Sequence, residues 1–344
     1  MRTTPGDITR AGELEAAQPA VAPPATGPTE GRTGAFRLRS PLVPLGLALL
    51  LAVFALLPFA LTGYWVRVLT TVFMFAAMAQ SLNIIAGFAG YADFGNIVYF
   101  GIGAYSSAFL MKHGAPFPAA ILGGALVSAA IAALIGLPIL RLRGHYFAIA
   151  TIGVMEGTRE LVVNMDFVGG GSGINVPLLR MPPQQFSTLI YFIMLGLMLG
   201  YTMLAFLLSR SSLGYSLRAI KADEQAAAVM GINTTVAKTT AWAMSAACTA
   251  LAGGVYALWV GFIEPGVVFN IVTGTEYFMM MLLGGAGTVL GPILGSFILE
   301  MLSVTIWSQF LRGHMAILGV VIVLVVIFLP KGLVHELRAR GLGR

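Results

Sequence analysis

From residue 41 to residue 330, the chain alternates between long apolar runs and short polar segments. Runs such as Thr188–Leu208 and Thr239–Val260 exceed the roughly 18 residues that a helix needs to cross a hydrocarbon core of about 30 Å. Lipid offers the backbone no hydrogen-bond partner, so these runs must form helices, whose backbone bonds are internal. The pattern predicts an all-α, polytopic helical membrane protein.

Ten membrane-spanning helices are predicted, with ends that follow the limits of the apolar runs. A count of eight also remains open, because the glycine-rich stretch Glu276–Gln309 has short segments with a weak break between them, as in a re-entrant pair. The ten predicted spans are Pro41–Leu61, Val68–Ile85, Asn96–Met111, Pro118–Leu140, Tyr146–Asn164, Thr188–Leu208, Thr239–Val260, Glu276–Val289, Pro292–Gln309 and Met315–Pro330.

Composition supports the membrane class and excludes an ordinary soluble domain. Hydrophobic residues make up 58% of the 344 residues and charged residues 10%, whereas soluble domains contain about 25% charged residues. If the N-terminus lies inside, 15 of the 20 Lys and Arg residues fall in inner segments. Cytoplasmic loops are enriched in these residues, so both termini are predicted to lie in the cytoplasm. An eight-span count leaves that orientation unchanged.

The residues outside the spans divide the chain into three regions. Residues 1–40 contain five prolines and few large apolar side chains, which predicts a disordered cytoplasmic tail. Residues 41–330 form the predicted transmembrane domain, and residues 331–344 form a short cytoplasmic tail.

Signatures of catalysis and of metal or cofactor binding are missing from the sequence. Gly284–Gly287 is followed by no Lys-Ser or Lys-Thr pair, so it is not a nucleotide-binding P-loop. The single cysteine, Cys248, lies in an apolar span, and the four histidines never pair at metal-ligand spacing. We therefore expect no catalytic residue, no metal and no cofactor. If the chain acts in an ATP-driven process, a different polypeptide binds the nucleotide.

The charged segment Ser211–Gly231 (SSLGYSLRAIKADEQAAAVMG), here called the polar island, separates two apolar spans. Asp223 and Glu224 suit the positive end of a helix dipole, the following alanines favour helix, and Gly231 is a typical terminator. These residues predict a short helix of about two turns, which either seals the bundle or docks against a partner. An apolar side just upstream is formed by Leu213, Leu217 and Ile220.

Five sequence blocks between Gln80 and Phe297 resemble, in order, those of permeases of branched-chain amino acid ATP-binding cassette importers. The RLRG block and the GG-x-x-GI loop after it resemble the LivM-type permease rather than its LivH-type partner. The blocks are SLNIIAGFAGYADFGNIVYFGIGAYSSAFL, RLRGHYFAIATIG, VGGGSGI, LGYSLRAIKADEQAAAVMGINTTVAKTTAWAMSAACTALAGGVYAL and LLGGAGTVLGPILGSF.

The resemblance implies a non-enzymatic permease subunit that moves leucine, isoleucine and valine across the bacterial inner membrane. It implies assembly in membrane lipid with a homologous LivH-type permease, two cytoplasmic ABC ATPase subunits and a periplasmic substrate-binding protein, without nucleic acid. Loop 209–237 would dock on the ATPases. The wider family carries an E-A-A-x-x-x-G loop here; this chain keeps the spacing but has Gln225 at the Glu position and Glu224 one residue early. The implied coupling residues are Asp223, Glu224, Ala226, Ala227 and Gly231.

Glycines and charges near the spans mark candidate pathway and packing positions. Broken helices that line a cavity bind substrate in some transporters, and charges within a span are costly. The pathway or substrate candidates are therefore Gly87, Gly90, Tyr91, Asp93 and Glu156. Tight packing is the alternative for the glycines, and an ion pair with Arg159 is the alternative for Glu156. A four-residue repeat predicts close helix packing at Gly287, Gly291 and Gly295.

Three other functions remain open at this point. Urea and short-amide importers use closely similar permeases, so the substrate is not determined by the resemblance. A proton-driven secondary transporter would use Asp93 or Glu156 and would need no ATPase. A receptor or structural subunit would not need the alanine-rich polar island.

Overall fold

The computed structural model describes residues 52–177, 179, 181–309, 319 and 332–334. The predicted tails 1–40 and 331–344, apart from 332–334, and the predicted span Met315–Pro330, apart from position 319, lie outside the described residues. Residues 52–60 are helical and belong to the first predicted span. The described helices that follow are α1 (Gly63–Leu82), α2 (Ile97–Lys112), α3 (Phe117–Ile139), α4 (His145–Val163), α5 (Pro183–Arg210), α6 (Ser212–Ala222), α7 (Glu224–Val229), α8 (Thr234–Val260), α9 (Pro265–Val268), α10 (Ile271–Gly284) and α11 (Gly291–Gln309).

The described helices confirm the predicted all-α architecture, and eight of the helices α1–α11 overlap predicted spans. α4 has 19 residues but carries Glu156, Arg159 and Glu160, so it is less apolar than the other long helices. Two apolar segments, Ile97–Lys112 and Gly291–Thr305, are shorter. Within the described residues, five segments are long and apolar enough to cross a membrane, namely Gly63–Gly87, Phe117–Ile139, Pro183–Arg210, Thr234–Val260 and Pro265–Gly284.

Helix α8 lies at the centre of the bundle and packs against α1, α2, α3 and α5. Small residues allow this close approach. A Cβ atom added at Gly253 would lie 2.1 Å from the Phe100 carbonyl oxygen, and one added at Gly103 would lie 2.2 Å from that of Ala250. Because lipid tails are as apolar as leucine side chains, helices in membranes associate largely through such backbone contact.

The chain breaks between α1 and α2, as the glycine-rich sequence there predicted. A π-helical turn, Asn83–Gly87, follows α1 and carries the chain to Gly90, where φ is +79°. Only glycine adopts such a backbone conformation freely. Residues 90–96 then lead into α2 without regular helix, apart from a turn.

A buried polar network fixes this break to the rest of the bundle. The Trp242 indole N–H donates to Asp93 Oδ2 at 2.8 Å, and Thr249 donates to Asn96 Oδ1 at 2.9 Å. Ser81 lies 2.8 Å from Thr249, which extends the network to α1. Buried polar groups are stable only when hydrogen-bonded, so these contacts hold α1, the break and α8 in one arrangement.

The loops between helices gather at two ends of the bundle, in the grouping that the ten-span topology predicts. At one end, the break after α1, the loop after α3, the polar island and the loop after α10 contact one another. At the other end, two short antiparallel strands, β1 (Ile174–Asn175) and β2 (Phe262–Ile263), join the loops after α4 and α8.

The eighth predicted span, Glu276–Val289, is displaced in the structure. Helix α10 begins earlier, at Ile271, and ends at Gly284. Residues 285–290 form a loop because side chains at the end of α1 hold their backbone. Gln80 donates to the Val289 carbonyl at 2.9 Å, and Asn83 donates to the Thr288 carbonyl at 2.9 Å.

Candidate functional site

The polar island folds into two helices, α6 and α7, that meet at Asp223. Asp223 has an extended backbone, with φ of −159° and ψ of 114°, and its side chain caps α7 by accepting from the backbone N–H groups of Gln225 and Ala226. Such capping satisfies donors that a helix end otherwise leaves free. The apolar side predicted upstream packs inward, since Leu217 and Ile220 are buried. Asp223 is therefore used within the island.

The turn that follows helix α7 contains a glycine with a left-handed backbone. Gly231 has φ of +88°, and the backbone N–H of Ile232 donates to the Ala227 carbonyl at 3.1 Å. This arrangement is a common C-terminal cap that glycine favours. An added Cβ atom at Gly231 would meet no atom of the described residues within 4 Å, so glycine is favoured here by the backbone conformation and not by lack of space.

The two faces of α7 differ in burial. Val229 and Met230 are 89% and 72% exposed as whole residues, and Ala226 is also exposed. Ala227, which the resemblance grouped with the coupling residues, is completely buried against this chain's own bundle. The exposed large apolar residues of the island are therefore Tyr215 in α6 and the adjacent pair Val229 and Met230 at the end of α7, and the sequence reasoning did not single them out.

Glu224 also points into the bundle, where three polar side chains surround its carboxylate. Its Oε1 lies 2.6 Å from the Lys238 ammonium group, and its Oε2 accepts from the Tyr91 hydroxyl at 2.8 Å. Arg143 Nε lies 3.3 Å from Oε2. The Lys238 side chain is only 5% exposed and also donates to the Leu140 carbonyl at 2.9 Å. We call Tyr91, Arg143, Glu224 and Lys238 the ion cluster.

The ion cluster stabilises the ionised form of Glu224. Burial alone would raise the pKa of its carboxyl group, but hydrogen bonds from Lys238 and Tyr91 and the positive charges of Lys238 and Arg143 outweigh burial. The pKa of Glu224 is therefore lowered. A cavity of about 250 Å³ adjoins the cluster and is lined by Leu137, Leu140, Arg141, Arg143, Glu224, Thr235 and Lys238.

Lys221 makes a second contact between the island and the bundle. Its ammonium group donates to the Gly87 carbonyl at 2.8 Å, at the end of the π-helical turn. Cations are favourable at helix C-termini, where carbonyl groups lack partners. Burial lowers the pKa of Lys221. Its side-chain carbons occupy the space beside Gly90, where an added Cβ atom would lie 2.9 Å from Lys221 Cγ.

The predicted pathway candidates do not form one site in the described part of the chain. Gly87, Gly90 and Tyr91 contact the polar island, as given above. Asp93 is 2% exposed and belongs to the buried network around Trp242. Glu156 pairs with Arg159 at 2.7 Å on an exposed face of α4, which is the ion pair that the spacing offered as an alternative.

The three predicted packing glycines do not all lie on one helix face. An added Cβ atom at Gly295 would lie 1.9 Å from the Met280 carbonyl, and Gly291 closely approaches the Gly284 and Gly285 carbonyls. Both glycines therefore lie where α10 and α11 meet. Gly287 lies in the preceding loop with φ of +83°, not on the helix face, because Asn83 accepts a hydrogen bond from its backbone N–H at 2.7 Å.

Sequence reasoning missed Lys221, Lys238, Arg143 and Trp242 as parts of these contacts. One signal was present: Lys238 directly precedes the predicted span Thr239–Val260, and a cation at the edge of a span needs a partner. Its distance in sequence from Glu224 gave no indication that the carboxylate turns inward.

Comparison with known proteins identifies the family. Residues 64–326 match the family described as "Branched-chain amino acid transport system / permease component". The chain is 30% identical over 309 residues to the high-affinity branched-chain amino acid transport system permease protein LivM of Salmonella typhimurium, covering 82% of this chain and 72% of the relative. LivM of Escherichia coli is 29% identical with the same coverage.

A shorter match is the autoinducer 2 import system permease protein LsrC of Yersinia pestis. It is 30% identical over 131 residues, which is 35% of this chain and 37% of the relative. No solved structure matches this chain significantly. The family match extends over most of the chain and includes the helices, the polar island and the ion cluster, and the protein therefore belongs to the branched-chain amino acid transport permease family.

Proposed function

We propose that this protein is a permease subunit of an ATP-binding cassette importer for leucine, isoleucine and valine. The match of residues 64–326 to the branched-chain amino acid permease family carries the proposal. The protein lies in the bacterial inner membrane with its polar island and both termini in the cytoplasm. It works with a LivH-type permease, two ATPase subunits that hydrolyse ATP and a periplasmic binding protein.

The polar island supports docking to the ATPase subunits. Val229 and Met230 are adjacent apolar side chains at its exposed tip, and the contacts of Glu224 and Lys221 with the bundle hold the island in place. Exposed apolar residues on an otherwise polar segment are typical of surfaces that a partner covers. A proton-driven secondary transporter would need no ATPase, and a receptor or structural subunit would not need the alanine-rich polar island.

Uptake by the reconstituted complex tests the class and the substrate. With its second permease, ATPases and binding protein, the chain is expected to accumulate radiolabelled leucine only when ATP is supplied. Leucine uptake by this subunit alone under a proton gradient would reject the ATP-driven class. Urea uptake without leucine, isoleucine or valine uptake would keep the class and reject the substrate.

Co-purification tests the docking surface. Met230→Arg places charge on the exposed tip and is expected to reduce recovery of the ATPase subunits at least tenfold, with normal membrane levels of the permease. Val267→Arg, a half-exposed position in α9 at the opposite end of the bundle, serves as the control and is expected to retain the ATPases. Equal recovery with both variants would contradict docking through this tip.

A further inference from the structure

We propose that Glu224 and Lys221 are positioning residues, which fix the polar island to the membrane-spanning helices of its own chain and pass its movement to the breaks after α1 and α10. The proposal rests on the proposed function, because it assigns these residues a role in coupling. It gives Glu224 a partner within the permease, Lys238, rather than a partner on an ATPase.

The carboxylate of Glu224 joins four parts of the chain. It lies at the start of α7, and its partners come from the break after α1 (Tyr91), the loop after α3 (Arg143) and the first turns of α8 (Lys238). Lys238 completes the arrangement by donating to the Tyr91 hydroxyl at 3.0 Å and to the Leu140 carbonyl. Displacement of α7 therefore must either break these contacts or move all three elements.

The position of the acid in the sequence agrees with this role. One residue turns a helix by about 100°, so an acid at position 225 would point in another direction. In this chain position 225 is an exposed glutamine, whereas the side chain of Glu224 is 14% exposed and directed at Lys238. The shift of the acid by one residue thus places it in the bundle rather than on the outer surface.

Lys221 joins the island to both glycine-rich breaks. Its ammonium group binds the Gly87 carbonyl, and it lies 3.7 Å from where a Cβ atom of Gly287 would be. Gly87 and Gly287 are themselves in close contact, since an added Cβ atom at Gly87 would lie 2.6 Å from the Gly287 nitrogen. The G-x-A-G segments Gly87–Gly90 and Gly284–Gly287 therefore meet beside Lys221, and a movement of α6 acts on the ends of α1 and α10 together.

Removal of charge from Glu224 tests the positioning role in the whole complex. Glu224→Gln is expected to raise the ATP hydrolysed per leucine imported at least tenfold while the ATPases remain bound. A spin label on Ala222→Cys, an exposed position of the island outside the docking tip, in a Cys248→Ala background, is expected to become more mobile. Glu160→Gln is the matched control, because it makes the same change at an exposed carboxylate, and both quantities are expected to stay at wild-type values.

The double variant Glu224→Gln/Lys238→Met separates positioning from charge compensation. Loss of one partner leaves a buried charge unpaired, whereas removal of both is often neutral for stability. We expect the double variant to recover the wild-type midpoint of thermal unfolding but to keep the raised ATP-to-leucine ratio and the mobile label. Recovery of wild-type coupling in the double variant would overturn the proposal, because charge compensation would then be the whole role of the pair.

Lys221 is tested in the same way. Lys221→Met keeps the apolar stem beside Gly90 but loses the bond to the Gly87 carbonyl, so the ATP-to-leucine ratio is expected to rise at least fivefold. Lys112→Met, at an exposed lysine at the opposite end of the bundle, is the control. An unchanged ratio in Lys221→Met would remove Lys221 from the proposal.

The mobility of the spin label does not depend on the substrate or on ATP hydrolysis. A wild-type complex that fails to import leucine would therefore reject the proposed function alone.

Discussion

At the residue scale, the Glu224–Lys238 pair shows how burial makes the island sensitive to a single charge. Both side chains are largely buried, and each has further hydrogen bonds. Removal of one partner from a buried ion pair typically costs about 3–5 kcal/mol, whereas exposed pairs contribute about 0–1 kcal/mol. The contacts that hold the island therefore depend on the ionisation of Glu224.

The ionisation of Glu224 leads to a pH prediction. The groups facing it are Lys238, Arg143 and Tyr91, and together they lower its pKa below the ordinary value of 4.5. Because the folded-state pKa is lowered, its contribution to stability is fully present above the ordinary value and is lost as the pH falls through the folded-state value. The mobility of a spin label at Ala222→Cys should therefore stay unchanged as the pH falls to 4.5 and should rise only below that value.

Glu224→Gln provides the control for that titration. A spin label in this variant should already be mobile at neutral pH, and its mobility should show no further rise in the acid range. A wild-type step centred above the ordinary pKa of 4.5 would mean that the ion cluster does not stabilise the carboxylate.

A second residue-scale prediction concerns the glycine that ends α7. At Gly231, φ is +88° and no atom in the described part of the chain lies within 4 Å of an added Cβ atom, so a substitution changes backbone strain without a clash there. Asparagine tolerates the left-handed region, whereas a β-branched residue does not. Gly231→Val is expected to reduce ATPase co-purification and leucine uptake severalfold, and Gly231→Asn is expected to retain most of both. Equal loss in the two variants would show that the cap conformation is not what matters.

At the scale of elements, glycines determine how closely neighbouring helices approach. The Met280 carbonyl fills the space beside Gly295, so α11 packs with its backbone against α10. Among the described residues, no atom lies within 4 Å of a Cβ atom added at Gly196, within α5, so this glycine is free of that constraint. The same substitution should therefore have opposite effects at these two helical positions.

This difference predicts the outcome of paired alanine substitutions. Gly295→Ala must push α10 and α11 apart, and we expect it to lower the thermal midpoint of the purified complex by several degrees. Gly196→Ala adds a methyl group in open space and removes the helix cost of glycine, about 0.5–1 kcal/mol, so its midpoint should be unchanged or higher. A midpoint for Gly295→Ala equal to that of Gly196→Ala would show that the two helices separate easily.

The positions of the helices could be predicted from the sequence more accurately than the contacts of the side chains. Apolar runs predicted the long helices because length and hydropathy are local properties, and the glycine-rich break after α1 was found for the same reason. The span Glu276–Val289 was displaced because Gln80 and Asn83, distant in sequence, hold residues 285–290 as a loop. The inward direction of Glu224 and Ala227 likewise depends on the bundle that the short helix α7 covers.

At the scale of the whole molecule, the grouping of loops at two ends restricts the topology. The polar island contacts the break after α1 and the loop after α3, and the break in turn contacts the loop after α10, so all four must face the same side of the membrane. The loops after α4 and α8 meet at the opposite end through β1 and β2. The excess of Lys and Arg on the island side predicts that this side is the cytoplasm.

Cysteine accessibility in intact cells tests that orientation. In a Cys248→Ala background, cysteines at Ala222 and Leu342 are expected to resist a membrane-impermeant thiol reagent, and a cysteine at Gln184 is expected to react. Ala222 and Gln184 are both exposed in the structure, so burial would not explain a difference between them, whereas Leu342 lies outside the described residues. Permeabilised cells provide the control, because the cysteine at Ala222 should then react as well. Labelling of Ala222→Cys from outside intact cells would reverse the orientation and place the polar island where no cytoplasmic ATPase reaches it.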